Sequence, residues 1–309
     1  MDFFGEIVPS LVLLSLFCTM RKLQASPVFT FRAFVKIIRP GNLLLVAFAQ
    51  IMTAFFLIET TRSGQPVLLD YHLYLLVTST VILTASGYMI NDYYDVKIDY
   101  VNRPKAVVIG RGMKRRMVMI LHTVMNLVGI LLGVLVQPKI GAVTFIAAFL
   151  LWLYSNSLKR LPFIGNLTVA SLTGLAIWIV GLYYQKSELL ILTYALFAFF
   201  INLIREILKD IEDRNGDRKH GCRTLPIVLG FRKTKQVIFI IAFFFVTAIL
   251  IVTFRLNEPL LFFYFGILSV FFCLFMFKIY KADRRSHFTA LSKLSKLLML
   301  TGILSMSFL

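Results

Sequence analysis

The sequence predicts an all-α membrane protein: a bundle of nine transmembrane helices with two Asp-rich motifs at the cytoplasmic ends of helices 2 and 6. Three observations carry this expectation. The 309-residue chain is 59% hydrophobic and only 16% charged, with a mean hydropathy of +0.82, whereas soluble domains are about 45–50% apolar and about 25% charged. Its apolar residues gather in nine runs near the ~20 residues that a bilayer crossing needs. Its charges fall between those runs, most of them in alternate gaps. The same composition excludes disorder and collagen-like repeats.

The runs cover about residues 41–58, 73–90, 117–136, 140–155, 164–184, 189–204, 236–254, 259–277 and 290–308. Turn residues separate many of them, as in Ser63-Gly64-Gln65-Pro66, Gln137-Pro138, Leu161-Pro162 and Asn257-Glu258-Pro259. No soluble domain fits between them, so residues 31–309 read as a single intramembrane domain. Residues 1–30 form an N-terminal extension. Its apolar run Val8–Met20, followed by Arg21-Lys22, is short for a span; it reads as a membrane-surface helix or a tenth span, with the surface helix preferred. The three cysteines and four histidines are scattered, which argues against a disulfide framework and against a His/Cys metal site.

Lys and Arg total 33 against 15 Asp and Glu, a formal charge of +18. In a soluble protein this would suggest nucleic acid. Here 29 of the 33 bases fall on one side of the alternating topology, and only Arg62, Lys139, Lys186 and Arg255 fall on the other. Cytoplasmic loops of membrane proteins carry such an excess, so the basic side is read as cytoplasmic (an inner membrane, in a bacterium). Nucleic acid is not expected as a partner, because the bases are divided among separate short loops.

The acids are the more informative charges. Eight of the 15 lie in two segments on the basic side: Asp92, Asp95 and Asp99 after the second run, and Glu206, Asp210, Glu212, Asp213 and Asp217 after the sixth. In Asn91-Asp92-x-x-Asp95-x-x-x-Asp99 and Asp210-x-x-Asp213-x-x-x-Asp217 the aspartates stand at i, i+3 and i+7, which share one helix face. Like charges at this spacing repel, and ionisable groups at membrane depth are usually functional. Oxygen-rich clusters without His or Cys suit Mg²⁺, which takes a few carboxylates and completes its shell from water and phosphate. The competing reading is a solvated ion-pair network with Lys97, Arg103, Arg205, Lys209 and Arg214. Two clusters with identical spacing favour the metal.

These motifs, each closing a helix in a nine-helix chain, resemble those of the UbiA superfamily of intramembrane prenyltransferases. Other stretches are similar too: Arg39-Pro40-Gly41-Asn42 near the first span, Val101-Asn102-Arg103-Pro104 after the first motif, and Tyr154-Ser155 with Leu158-Lys159-Arg160 and Gly165-Asn166 between the fourth and fifth spans. The similarity runs from about residue 32 to 235 and beyond. It implies Mg²⁺-dependent transfer of a prenyl group from a prenyl diphosphate to a lipophilic acceptor within the bilayer. It implies Asn91, Asp92, Asp95, Asp99, Asp210, Asp213 and Asp217 as the metal set, with Asp92, Asp95, Asp210 and Asp213 as the catalytic core. Arg39, Asn42, Arg103, Lys105, Tyr154 and Lys159 are implied at the diphosphate. Two departures stand out: Lys105-Ala106 replaces a second Arg-Pro, and Arg223-Thr224 replaces Lys-Thr.

The implied reaction ionises the donor toward an allylic cation, so water must be excluded. Aromatic rings among the 30 Phe and 12 Tyr would stabilise that cation by about 0.5–2 kcal/mol each. Ordinary packing is expected to claim most of them, with Tyr93 and Tyr94 favoured for their place inside a motif. The stretch Asn202–Asp213 with Thr224-Leu225-Pro226-Ile227 is similar to the branch of the family that prenylates geranylgeranylglyceryl phosphate in ether-lipid synthesis. Lys105, Lys114 and Arg115 are then candidates for the acceptor's phosphate. The runner-up acceptor is an aromatic ring, as in quinone biosynthesis. Cation transport is a distant third, since transport sites lie nearer the bilayer midplane.

Overall fold

The computed structural model describes residues 29–61, 64–186, 189–256 and 259–308, and every regular element among them is a helix. In chain order these are α1 (Phe31–Ile38), α2 (Pro40–Met52, prolonged by a π-helical turn Thr53–Ile58), α3 (Tyr71–Asn102), α4 (Arg115–Val136), α5 (Pro138–Asn156), α6 (Ile164–Tyr184), α7 (Leu189–Lys219), the single turn α8 (Leu225–Val228), α9 (Gly230–Leu256), α10 (Pro259–Lys281) and α11 (Arg285–Leu304). Among the described residues nine helices are long and apolar enough to cross a membrane. The run Val8–Met20 lies outside the described residues.

Two helices outrun their apolar segments. The second span was expected over 73–90, but α3 continues to Asn102; the sixth was expected over 189–204, but α7 continues to Lys219. Hydropathy falls at the first charges, whereas the backbone carries on, because the two helices brace each other. Asn102 shows how. Its Nδ2 donates to the Asp213 carbonyl at 2.9 Å, and its Oδ1 accepts from the Gly216 N–H at 2.9 Å. A Cβ on Gly216 would run into that amide, so only glycine lets the helices approach this closely. Arg285 of α11 adds a 3.0 Å bond to the Asn102 carbonyl.

Between helices in a bilayer, apolar contact yields packing rather than release from water. Three apolar clusters form: one around Ile204, Ile207, Phe275 and Phe288, one around Ile58, Leu73, Leu76 and Val180, and one beneath α1 around Ile37, Met89, Ile109 and Met113. Polar ties set the register. Gln50 Nε2 donates to the Ala176 carbonyl at 2.7 Å, Ser79 Oγ to Gly129 at 2.7 Å, and Asn202 Nδ2 to Thr173 Oγ1 at 2.8 Å. Such bonds contribute about 0.6 kcal/mol each on average.

The chain turns sharply between α1 and α2. Pro40 disfavours a helical residue before it, and Arg39 adopts a left-handed conformation, φ 55°. That geometry costs a non-glycine residue about 1–3 kcal/mol. It brings the Arg39 guanidinium over the Tyr88 ring, 4.8 Å from its centre.

Candidate active site

At the end of the bundle where α3 and α7 carry their acids, a cavity of about 230 Å³ opens between α2, α3, α5, α6, α7 and α11. Arg39, Asn42, Tyr88, Asn91, Tyr154, Arg205, Glu206 and Lys209 surround its polar end. Leu151, Leu172, Ile177, Tyr194, Phe197, Ile303 and Met306 are among the residues that line the rest. The α3 residues facing it run from Thr80 to Asn91, about 16 Å along the axis.

The acids of the first motif are engaged by bases from elsewhere in the chain. Arg39 Nη2 lies 2.5 Å from Asp92 Oδ1, and Lys159 Nζ lies 2.6 Å from Asp95 Oδ1 and 3.5 Å from Asn91 Oδ1. Lys159 sits on a 3₁₀ turn, Leu158–Arg160. Gly165 makes room for that turn, since a Cβ there would come within 2.8 Å of the Lys159 Cα. In the second motif Arg103 Nη2 bridges Glu212, at 2.9 Å, and Asp213, at 3.2 Å. Asp210 accepts from Asn166 Nδ2 at 2.8 Å. Asp99 and Asp217 have no ion-pair partner among the described residues, yet each lies within electrostatic reach of the other.

Burial would lower the pKa of Arg39, but the Asp92 charge, backed by Tyr88, Asp99 and Glu206, raises it, so the guanidinium stays cationic. Beyond the second motif, burial and then the Asp217 charge push the Cys222 thiol up to about 11. The negative potential of the motifs thus reaches past their own side chains.

Among the described residues no three acidic, His or Cys side chains converge at metal-binding distance; bases stand between the acids instead. The donor set nonetheless suits a hard divalent cation. Every candidate ligand offers oxygen, and Asp99 and Asp217 bring like charges together with no base paired to either. The ion-pair network foreseen as the competing reading is present in part, through Arg103, Arg205 and Lys209.

Of the residues expected at a diphosphate, Arg39, Asn42, Tyr154 and Lys159 stand at the cavity mouth or against the first motif, and Arg103 stands on the second. Lys105 stands apart: its side chain is exposed, and its carbonyl accepts from Lys36. Lys114 and Arg115 are exposed as well, Arg115 lying over the Tyr93 ring. Tyr94 packs beneath Lys159, 5.9 Å from Nζ to the ring centre. Neither Tyr93 nor Tyr94 lines the cavity, and among the phenylalanines of the described residues Phe197 is the one that does.

Two participants escaped the sequence reading: Tyr88, which accepts from Asn42, and Lys296 of α11, whose Nζ donates to Asn42 Oδ1 at 2.7 Å. Glu212 and Asn166 were noticed without the roles they take beside Arg103 and Asp210. Glu206 was noticed only as an acid. Its position four residues before Asp210 places it on the motif face, and that spacing was a usable signal. Lys296 offered none, because it reads as a base at the start of an apolar run.

Comparison with known proteins agrees with this geometry. The profile of the UbiA prenyltransferase family matches residues 43–297. The chain is 38% identical over 206 residues to a digeranylgeranylglyceryl phosphate synthase of Thermococcus gammatolerans, covering 67% of this chain and 72% of that protein. It is 32% identical over 271 residues to the synthase of Methanosphaera stadtmanae, covering 85% and 92%. Among solved structures, a digeranylgeranylglyceryl phosphate synthase superposes with a TM-score of 0.69 at 22% identity, over 89% of this chain and 96% of that one. A UbiA homolog from Archaeoglobus fulgidus bound to DMAPP and Mg²⁺ superposes with a TM-score of 0.61 at 15% identity, over 89% and 99%. The chain therefore belongs to the UbiA prenyltransferase family, and it is an integral, multi-pass intramembrane prenyltransferase.

Proposed function

We propose that this chain transfers a geranylgeranyl group from its diphosphate to the free hydroxyl of geranylgeranylglyceryl phosphate, releasing diphosphate, with Mg²⁺ as cofactor. The observation that carries the reading is the pairing of two aspartate faces at the mouth of an apolar cavity, with bases inserted among them. The relatives named as synthases of the digeranylgeranyl product support the acceptor. The A. fulgidus homolog solved with DMAPP and Mg²⁺ supports the donor class and the metal.

Asn91, Asp92, Asp95 and Asp99 on α3, with Asp210, Asp213 and Asp217 on α7, would hold the metal. Bound there, Mg²⁺ neutralises the charge that develops on the leaving diphosphate. Arg39, Lys159 and Arg103 then serve the diphosphate oxygens, because each already reaches a motif carboxylate and carries a charge that an anion can take over. Lys105 is not needed for this. The cavity walls hold the prenyl chain and keep water from C1. The acceptor oxygen bonds to C1 as the C1–O bond breaks. The electron pair leaves on diphosphate, which also takes the hydroxyl proton. The distribution of bases supports a cytoplasmic mouth, from which diphosphate departs into water.

The test is product analysis by mass spectrometry. Purified protein receives geranylgeranyl diphosphate with geranylgeranylglyceryl phosphate or with an aromatic acid, each with Mg²⁺ or with chelator. The expected result is a Mg²⁺-dependent diether phosphate. Product from the aromatic acid alone would overturn the acceptor, and cation uptake into vesicles without release of diphosphate would overturn the enzyme class.

A further inference from the structure

A second charged cluster adjoins the aspartate motifs on the side of α11. Arg205 Nη1 lies 2.6 Å from Glu206 Oε1, and Lys209 Nζ lies 2.8 Å from Glu206 Oε2. Across the mouth, Lys296 Nζ is held at 2.7 Å by Asn42, whose amide nitrogen is itself bonded to Tyr88. Lys296 lies within electrostatic reach of Arg205, Lys209 and Arg39. Arg39 is matched by Asp92. Of the other three bases, Arg205 and Lys209 share the Glu206 carboxylate, Lys209 also lies within electrostatic reach of Asp210 and Asp213, and Lys296 has no ion-pair partner among the described residues, so positive charge is in surplus on the α11 side.

That surplus is only partly enclosed, since the Lys209 side chain is 27% exposed and Lys296 is half-buried. The side chains of Arg205 and Glu206 are 14% and 7% exposed, and Arg205 Nε is buried with no hydrogen-bond partner. Unneutralised charge and an unpaired donor in an apolar bundle are costly, and an anion would relieve both. A phosphomonoester brings about −1.5 to −2 at neutral pH and three acceptor oxygens, which suit a group of three bases. The bases that engage Asp95 and Asp213, Lys159 and Arg103, come from other segments, so a second anion need not compete for them.

We infer that Arg205, Lys209 and Lys296 form a phosphomonoester site that anchors the headgroup of the acceptor lipid beside the donor diphosphate. The inference rests on the proposed function, since only a phosphorylated acceptor uses such a site. It makes the phosphate a positioning handle: gripped on the α7–α11 side, it turns the glycerol hydroxyl toward the α3–α7 motifs. The exposed Lys105, Lys114 and Arg115 are not required.

Two-substrate kinetics test it, with geranylgeranyl diphosphate as donor and either geranylgeranylglyceryl phosphate or its phosphate-free alcohol as acceptor. For Lys296→Gln the KM for the phosphorylated acceptor should rise about tenfold or more, the loss of one charge-assisted hydrogen bond. The donor KM should stay within about twofold. The preference for the phosphorylated acceptor over the alcohol should shrink in step, and Lys296→Arg should recover most of it. Should Lys296→Gln not fold, Lys209→Gln reads the same ratio. A rise in donor KM instead, or an unchanged preference, overturns the second site while the proposed reaction stands. A wild-type enzyme that prenylates neither glycerol lipid overturns the proposed reaction, and this site with it.

Discussion

The two ends of the bundle treat a carboxylate in opposite ways. At the end away from the motifs, Asp70 caps α3 and is surrounded by neutral donors. The His72 N–H lies at 3.0 Å, and the Tyr184 and Tyr183 hydroxyls lie at 2.9 and 3.2 Å. Burial alone would raise its pKa, but the bonds from Tyr184, His72 and Tyr183 hold it below the usual range. Nearby, Lys186 fastens the end of α2 through the Ile58 carbonyl at 2.8 Å. At the motif end the acids instead face one another, and their partners are bases borrowed from distant segments. Neutral donors that fit a carboxylate make a rivet. Opposed acids with borrowed bases make an arrangement whose interactions a ligand can replace.

The contrast can be broken most sharply at the motif end. Asp95→Ala or Asp213→Ala should reduce turnover at least about a hundredfold, as expected when a group stabilising charge in the transition state is lost. Detergent assays with donor and Mg²⁺ measure this, and near-wild-type turnover in both would refute the metal role. Gly165→Ala should come next. Its new methyl presses on the Lys159 backbone, and displacement by about 1 Å costs up to about a hundredfold. A retained thermal transition would show that the fold survives while turnover falls.

At the other end the currency is stability. Asp70→Asn removes an ionised acceptor from three donors and should cost about 1–3 kcal/mol, read as a lower thermal midpoint with turnover at neutral pH preserved. Because the folded pKa of Asp70 is depressed, its contribution is present above the unfolded value of about 3.9. It is lost as pH falls through the folded value, so the gap between variant and wild type should close only in acid. Lys105→Ala should have the smallest effect, within about 0.5 kcal/mol for an exposed side chain.

What was legible in the sequence follows the same division. The nine spans were visible because a bilayer imposes a length and a composition. The aspartate faces were visible because a helix imposes a period. Hydropathy alone would have ended α3 and α7 at their first charges, and it was the i, i+3, i+7 period of the aspartates that carried the helices on to Asp99 and Asp217, close to their ends at Asn102 and Lys219. One sequence does not show which base meets which acid. Lys159 reaches Asp95 across 64 positions and Lys296 reaches Asn42 across 254, distances that only packing brings to zero. The role expected of Tyr93 and Tyr94 was set by their place in the motif, but a helix turns neighbours away from its functional face, and they pack under Arg115 and Lys159.

The Asn102 amide has a consequence for how the enzyme is made. Both of its bonds go to backbone groups of α7, 111 and 114 positions further along the chain. Chains emerge from the ribosome N-terminus first, so α3 is complete long before its partner exists. Until the sixth span arrives, the first motif has neither its brace nor the second motif opposite it. The site is therefore incomplete until α7 and then α11, which lines the cavity through Met299 and Ile303, have been made, and a chain that stops short of α7 lacks the second motif.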